Sequence, residues 1–230
     1  MLRHTYHFTK AHAQPFSKKR IISLLKIGVP IGFQIIVEML TFSVGAVMMG
    51  WLGEIPLAAH QVAIGLASSS YMISLGISQA TTIRVSHQLG QNDYKSLKMA
   101  VFASTHLVLL FMISMGLLFV LARDYLPLAF TSDSEVVAVA SGLLVVAAIF
   151  QVFDGLQVIM LSTLRGMTDV KIPMFIAFAA YMIIGLPTSY GLTFILNVGP
   201  VGIWYGFLVG LGIAGVLFFF RFKHNLKGKT

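Results

Sequence analysis

The 230-residue sequence contains no cysteine and few charged residues. The absence of cysteine excludes disulfide bonds and thiolate metal sites. Charged residues make up 10% of the chain and hydrophobic residues 57%, whereas about 25% of the residues of an ordinary globular domain are charged. The composition therefore indicates an integral membrane protein.

Sequence motifs for nucleotide-driven transport and for metalloproteases are also missing. There is no G-x-x-x-x-G-K-[ST] segment and no H-E-x-x-H segment. Gly210, Gly212 and Gly215 match G-x-G-x-x-G only formally, because they lie inside a long apolar run with no preceding strand. We therefore expect no cofactor, and any transport would draw its energy from an ion gradient or from a partner.

Six apolar runs are long enough to cross a bilayer, which takes about 20 residues of helix. They cover residues 24–51, 57–83, 97–122, 136–164, 172–196 and 201–222. Runs of this length must be helical, because lipid offers no water to satisfy backbone groups. We predict an all-α integral membrane bundle of six transmembrane helices over residues 24–222. A basic cytoplasmic arm, residues 1–23, precedes it, and a basic tail, residues 223–230, follows it.

The distribution of Lys and Arg predicts the orientation of the chain. The arm, the tail and the connections at 84–98 and 165–171 are rich in bases, whereas the other three connections contain a single base, Arg123. Because cytoplasmic connections carry the excess of Lys and Arg, we expect both termini in the cytoplasm and the protein in a plasma membrane, the inner membrane if it is bacterial. This placement explains the net charge of +8 without a nucleic acid partner.

Only two of the eight acidic residues, Glu38 and Asp154, lie deep within predicted spans. An ionisable side chain near the bilayer centre costs about 2.5–3.5 kcal/mol on insertion scales and usually faces protein or a wet cavity. No Lys or Arg lies at their depth to pair with them. Such a pair binds a cation, holds a proton or shares one. The structural alternative is a protonated acid that bonds locally to a backbone carbonyl or a glutamine.

Each acid belongs to a stripe of polar side chains on its helix. The stripes are Gln34, Glu38 and Thr41 on the first helix and Gln151, Asp154 and Gln157 on the fourth. A third stripe on the second helix consists of Ser70, Ser74 and Ser78. Polar stripes in lipid point at protein or water, which predicts a shared polar interior, although serine stripes more often mark close packing.

Helix breakers occur in the last two spans. Pro187 lies deep in the fifth run and predicts a kink, which is equally consistent with a bend around a cavity and with a packing device. Glycines recur at four-residue spacing in the sixth run, which favours close helix contact. They are Gly202, Gly206 and Gly210.

An intramembrane hydrolase is the alternative class of function, with Ser78 or His106 in its site. The segment at residues 76–80 lacks the final glycine of a nucleophile elbow. We interpret His60 as a polar helix-end residue and His106 as a packed, hydrogen-bonded one.

Four segments closely resemble the multidrug and toxic compound extrusion (MATE) transporters of the NorM-like branch. They are KIGVPIGFQIIVEMLTFSVGAVMMGWLG, LAAHQVAIGLASSSYMISLGISQATTIRVSHQLGQ, FQVFDGLQVIMLSTLRGMTD and AYMIIGLPTSYG. The resemblance covers nearly all of residues 26–222 and is to the C-terminal lobe. It implies an antiporter, not an enzyme, with twelve helices in two lobes, which exports organic cations and drugs in exchange for Na⁺ or H⁺.

The resemblance also implies site residues. In that family, carboxylates on the first and fourth helices of this lobe help to bind the coupling cation, and here they align with Glu38 and Asp154. Some members have a Tyr four residues before the second acid. This chain has Phe150 there, which removes a possible oxygen ligand.

The N-terminal lobe of the family is absent from the sequence. The chain is then a fragment of a longer protein, a half-transporter that pairs with another half, or a truncated and inactive product. The expected partners are the lipid bilayer, an organic cation or drug, and the missing lobe or a second half-transporter. A passive channel is a further possible class of function. It would conduct ions without counterflow of drug, which flux measurements in proteoliposomes would show.

Overall fold

A computed structural model describes residues 17–227, which form six long helices and contain no strand. The helices are α1 (Lys18–Leu52), α2 (Glu54–Gly90), α3 (Tyr94–Leu121), α4 (Ser134–Gly166), α5 (Lys171–Ile195) and α6 (Pro200–Leu226). A short 3₁₀ turn, Leu126–Ala129, lies between α3 and α4. The predicted all-α bundle of six helices is confirmed. Residues 1–16 of the basic arm and 228–230 of the tail lie outside the described residues.

The first helix begins earlier than its apolar run. α1 starts at Lys18 and has 35 residues, which corresponds to a length of about 52 Å, whereas the hydrocarbon core is about 30 Å thick. Nothing between Lys18 and Lys26 breaks a helix, since Lys, Arg, Leu and Ile are all compatible with one. The last residues of the predicted arm therefore extend the helix beyond the membrane.

Five of the six helices are long and apolar enough to cross a membrane by length and composition, among the residues that the structure describes. α2 is not among them, although it has 37 residues. Its serines and threonines lower the hydropathy of the helix, and the buried ones lie at internal positions that include Ser70, Ser74 and Thr81. The packing of α2 against α4 shields this polar face from lipid.

The fourth helix is the centre of the bundle. α4 packs against α2, α3 and α6, and every residue from Gln157 to Leu164 is buried. More than two turns of buried residues mean that this part of α4 is enclosed on all sides. A side chain on α4 therefore faces a different neighbouring helix at each position around its axis.

Glycines allow α6 to approach α5 very closely. A Cβ atom added at Gly206 would overlap Ser189, and one added at Gly202 would lie 2.7 Å from the Thr193 Oγ1 atom. Ser189 also donates a hydrogen bond to the Ile203 carbonyl oxygen across 3.0 Å. The close helix contact predicted from the glycine spacing is confirmed.

The fifth helix is irregular around its proline. α5 is an α-helix over Lys171–Phe178 and Leu186–Tyr190, with wider π-helical turns at Ala179–Gly185 and Gly191–Ile195. A π-turn widens the backbone where a proline would clash with the preceding turn. α5 is therefore irregular on both sides of the segment that contains Pro187, and the kink predicted there stays a prediction. Pro187 itself is exposed on the outside of the bundle.

Candidate functional site

The two deep acids share one cavity. Glu38 from α1 and Asp154 from α4 both line a space of about 260 Å³ between α1, α2 and α4. Asp154 is 6% exposed, and Glu38 is half-buried. Two residues that are more than one hundred positions apart in the chain thus present carboxylates to the same small volume.

Three other residues give this cavity its chemical character. Tyr71 and Ser68 of α2 line it with oxygen-bearing side chains, and Phe150 of α4 lines it with an apolar ring. Phe150 brings no oxygen atom to this cavity, and the phenol that lines it belongs to Tyr71 of α2. Nothing in the sequence distinguishes Tyr71 from an ordinary aromatic residue of a membrane helix, and for that reason sequence reasoning missed it.

A basic residue lies near the acids, contrary to the sequence-based expectation. Arg165, at the end of α4, attracts Glu38 electrostatically, while Glu38 and Asp154 repel each other. In the sequence, Arg165 follows the apolar run and belongs to the connection between the fourth and fifth helices. In the structure, its long side chain extends from α4 to Gln34 of α1. When all three groups are ionised, their net charge is −1.

Gln34 and Thr41 lie on the same side of α1 as Glu38. The side-chain oxygen of Gln34 accepts a hydrogen bond from Arg165 Nη2 across 3.3 Å, and its Nε2 atom is buried with no partner among the described residues. Thr41 donates to the Val37 carbonyl oxygen of its own helix across 2.8 Å. Gln34 therefore positions Arg165, whereas Thr41 is satisfied locally.

Glu38 also lines a second, much smaller cavity of about 10 Å³, about the space that one water needs. This cavity lies between α1, α5 and α6, and Thr41 and Tyr181 line it as well. The hydroxyl of Tyr181 is buried and has no hydrogen-bond partner among residues 17–227. Glu38 and Phe42 line both cavities, and Glu38 is the ionisable residue that they share.

The predicted stripe on α4 does not stay on one side. Gln151 accepts a hydrogen bond from Ser70 of α2 across 2.8 Å, Asp154 lines the acidic cavity, and Gln157 packs beside Gly215 of α6. Residues three apart differ by 300° around a helix, so each step turns the side chain by about 60°. Gln151 and Gln157 line neither cavity that contains Glu38, and their supporting role at the cation site stays a prediction.

The serine stripe of α2 marks packing. Ser70, Ser74 and Ser78 are all buried, and none of them lines a cavity that contains Glu38 or Asp154. Ser78 donates to the Leu75 carbonyl oxygen of its own helix, and the single hydroxyl hydrogen of Ser70 is shared between the Ala67 carbonyl oxygen and Gln151. The close-packing interpretation is therefore correct, and the serines do not belong to the polar interior.

The two membrane histidines differ from the expectation in their burial. His60 is buried against Trp204, with their ring centroids 5.8 Å apart, whereas His106 is exposed and its Nδ1 atom lies 2.8 Å from the Phe102 carbonyl oxygen. His60 lies near the start of α2, as expected, but it is buried. The predicted hydrogen bond of His106 is present, but its side chain is exposed rather than packed in the interior.

The side-chain donors that line the acidic cavity are oxygens, which suit hard cations rather than metals that prefer nitrogen or sulfur ligands. In the part of the chain that the structure describes, no group of three or more His, Cys, Asp or Glu side chains is placed to hold a metal ion. Transition metals are held by imidazole and thiolate ligands, and here the available donors are carboxylate and hydroxyl oxygens.

Comparison with known families identifies the fold and its class. The MatE family model matches residues 30–191, which include both acids and the cavity between them. The chain belongs to the MatE family. It is therefore a multi-pass membrane protein of a transporter family and not an enzyme.

Relatives in this family are similar along most of the chain. A probable multidrug resistance protein NorM of Agrobacterium fabrum is 38% identical over 207 residues, which are 88% of this chain and 44% of the relative. The NorM protein of Xanthomonas axonopodis pv. citri is 37% identical over 96% of this chain and 48% of its own length. The chain thus spans about half the length of the curated relatives it matches.

Solved structures share the same fold. A eukaryotic MATE transporter superposes with a TM-score of 0.84 at 24% identity, covering 91% of this chain and 48% of that protein. A MATE protein in the bent conformation gives a TM-score of 0.85 at 14% identity, covering 94% and 48%. These similarities establish the arrangement of the six helices.

Proposed function

We propose that this chain is the C-terminal lobe of a secondary active multidrug exporter, which exchanges organic cations or drugs for Na⁺ or H⁺. The support is family membership together with the names of the NorM relatives, which describe probable multidrug resistance proteins. We also propose that the protein lies in a plasma membrane, the inner membrane in a bacterium, and the charge pattern of the connections supports cytoplasmic termini.

The observation that carries this proposal is the shared cavity of Glu38 and Asp154. Two carboxylates facing one low-dielectric space repel each other when both are ionised, and a bound cation or a proton relieves that repulsion. With Arg165 nearby, the group carries one net negative charge, which a single Na⁺ or H⁺ neutralises. Na⁺ would bind to oxygens of Glu38, Asp154 and the neighbouring Tyr71 phenol.

Cation binding at this cavity couples to movement because the acids lie on different helices. A cation that both carboxylates contact stabilises the arrangement in which α1 and α4 are close. A drug that binds in the cleft between this lobe and its partner favours the other arrangement. Each ligand then shifts the equilibrium by its difference in affinity for the two states.

The test is substitution of each acid in a protein that contains both lobes. We expect Glu38→Gln and Asp154→Asn each to abolish ion-driven drug efflux from proteoliposomes and to remove Na⁺ binding or proton release. Glu54→Gln is the matched control, since Glu54 is an exposed acid at the start of α2. Unchanged efflux in both acid variants would show that the site lies elsewhere.

A non-transporting lobe that needs a partner half is the second candidate, because the chain spans about half of its relatives. Expression of the chain alone and together with a separate N-terminal lobe distinguishes the possibilities. Efflux only with the partner indicates a half-transporter. Cation binding to the lobe without efflux in either case indicates a remnant.

A further inference from the structure

A large apolar groove lies on the outside of the bundle between α3 and α6, with α4 as its floor. Its volume is about 580 Å³. Aromatic and aliphatic side chains form most of the lining, including Phe102 of α3, Phe153 and Met160 of α4, and Phe219 of α6. Gly212 of α6 also lines the groove, where it leaves room that a larger side chain would fill.

Lysine side chains gather at one end of this groove. A second cavity, of about 420 Å³, continues from it, and the two share Lys98, Phe219 and Phe222. Lys223 and Lys227, at the end of α6, complete the lining of that second cavity. No acidic residue from the described part of the chain lines either space.

One of these lysines is held over an aromatic ring. The Nζ atom of Lys223 lies 4.8 Å from the centroid of the Phe219 ring. This contact directs an ammonium group toward the mouth of the apolar groove. The apolar groove therefore has lysine side chains at one of its ends. That end lies where α3 begins and α6 ends, which is the base-rich end of the bundle.

The groove is separate from the acidic cavity. α4 contributes Phe153, Leu156 and Met160 to the groove, whereas it contributes Phe150 and Asp154 to the cavity that Glu38 shares. The groove therefore lies on another face of α4. Its positive end also repels the organic cations proposed as transported substrates.

We propose that this groove binds an anionic phospholipid of the cytoplasmic leaflet. An acyl chain would lie along the apolar groove, and the phosphate would lie among Lys98, Lys223 and Lys227. Basic pockets between transmembrane helices on the cytoplasmic side are suited to anionic headgroups, and lipid is the partner that surrounds this surface. A soluble anion would make no use of the apolar groove, and a zwitterionic lipid would make less use of three lysines.

The first experiment compares retained lipids by native mass spectrometry of the full chain in detergent. The probes are phosphatidylglycerol and phosphatidylcholine with identical acyl chains. We expect the unsubstituted protein to retain phosphatidylglycerol selectively. The variant K98Q/K223Q/K227Q should lose that retention by roughly tenfold, since each basic residue near the surface contributes to attraction of anionic lipid.

A matched control removes the same charge elsewhere. Lys26, Lys95 and Lys171 are exposed and line neither cavity, so K26Q/K95Q/K171Q should retain phosphatidylglycerol as the unsubstituted chain does. Equal losses in the two triple variants would show general surface attraction and overturn the proposal. Equal retention of the two lipids by the unsubstituted protein would also overturn it.

A second pair of variants tests the groove itself. A Cβ atom at Gly212 would lie 3.7 Å from the nearest atom of Phe153, an ordinary contact, so Gly212→Ala should fold normally and bind lipid as before. Gly212→Leu extends into the groove and should lower phosphatidylglycerol retention at least severalfold, with the melting temperature reported by Trp204 preserved. Unaltered retention in a folded G212L protein would overturn the placement of the acyl chain.

Discussion

Arg165 on α4 donates a hydrogen bond to the side-chain oxygen of Gln34 on α1, with the two atoms 3.3 Å apart. This bond joins the two helices that carry the deep acids, and its acceptor, Gln34, lies one helical turn before Glu38 on α1. Because Arg165 attracts Glu38, its charge competes with any cation that binds there. Arg165 is thus an internal counter-charge for the proposed site.

Removal of this counter-charge should tighten cation binding. We expect Arg165→Gln to raise the affinity for Na⁺ by about tenfold, or ~1.4 kcal/mol, measured by isothermal titration calorimetry. Arg165→Lys keeps the charge and should change the affinity little, and Lys171→Gln removes an exposed charge beyond the end of α4 as a control. Weaker Na⁺ binding in R165Q would show that Arg165 instead supports the site.

Apolar runs locate the six helices because the cost of an unsatisfied backbone in lipid leaves no alternative to a helix, although α2 is less apolar than the other five described helices. The same reasoning predicts that Glu38 and Asp154 lie near each other, since an acid inside the membrane faces protein or a wet cavity rather than lipid. It does not reveal Arg165 or Tyr71. Arg165 follows its apolar run, and only the tertiary structure shows that its side chain returns toward Glu38.

The polar stripe of α1 stays on one side of its helix and that of α4 does not, and the residue spacing explains the difference. The spacing of Gln34, Glu38 and Thr41 alternates four and three residues, and this keeps the side chains near one side of α1. Equal steps of three drift around the helix, so Gln151 and Gln157 point to different neighbours. α4 packs against three other helices, and a polar residue on it therefore has several places to be buried besides the acidic cavity.

The packing of α5 against α6 predicts a strong effect of one methyl group. Gly206→Ala would place its Cβ onto Ser189, and such overpacking costs about 1–3 kcal/mol. Unfolding in denaturant, followed by the fluorescence of the buried Trp204, measures the loss. Gly212→Ala is the control, because its Cβ has room. Equal stability of the two variants would contradict the close contact between α5 and α6.

An ion pair fastens the connection between α4 and α5 to the end of α6. Arg221 Nε lies 2.6 Å from Asp169 Oδ2, with side chains 25% and 14% exposed, respectively, and Asn225 donates to the same oxygen across 2.8 Å. A double-mutant cycle with D169N and R221Q should give a coupling energy of about 0.5–3 kcal/mol. Partial burial makes this pair stronger than an exposed one.

The control for this cycle is the pair of Arg123 and Asp124, which is 3.7 Å apart and largely exposed. The corresponding cycle with R123Q and D124N should give a coupling energy near the lower end of the range of about 0–1 kcal/mol for surface pairs. Equal coupling energies in the two cycles would show that the ion pair of Asp169 and Arg221 stabilises the connection between α4 and α5 no more than a surface pair does.

The start of α3 should respond to acid through its capping residue. Asp93 accepts a hydrogen bond from the Ser96 backbone amide across 3.0 Å, and hydrogen bonds from the Ser96 side chain and backbone lower the pKa of Asp93. A carboxylate with a lowered pKa stabilises the folded state above its unfolded pKa, which is about 3.9. That contribution is lost as the pH falls below this value through the folded pKa.

Substitution of Asp93 by Asn tests this directly, because Asn is also a good N-cap but does not titrate. We expect the melting temperature of the unsubstituted chain minus that of D93N to be larger at pH 7 than at pH 3. D93A lacks the cap and should be less stable than D93N at both pH values. A difference between the unsubstituted chain and D93N that stays constant from pH 7 to pH 3 would show that ionisation of Asp93 does not stabilise the start of α3.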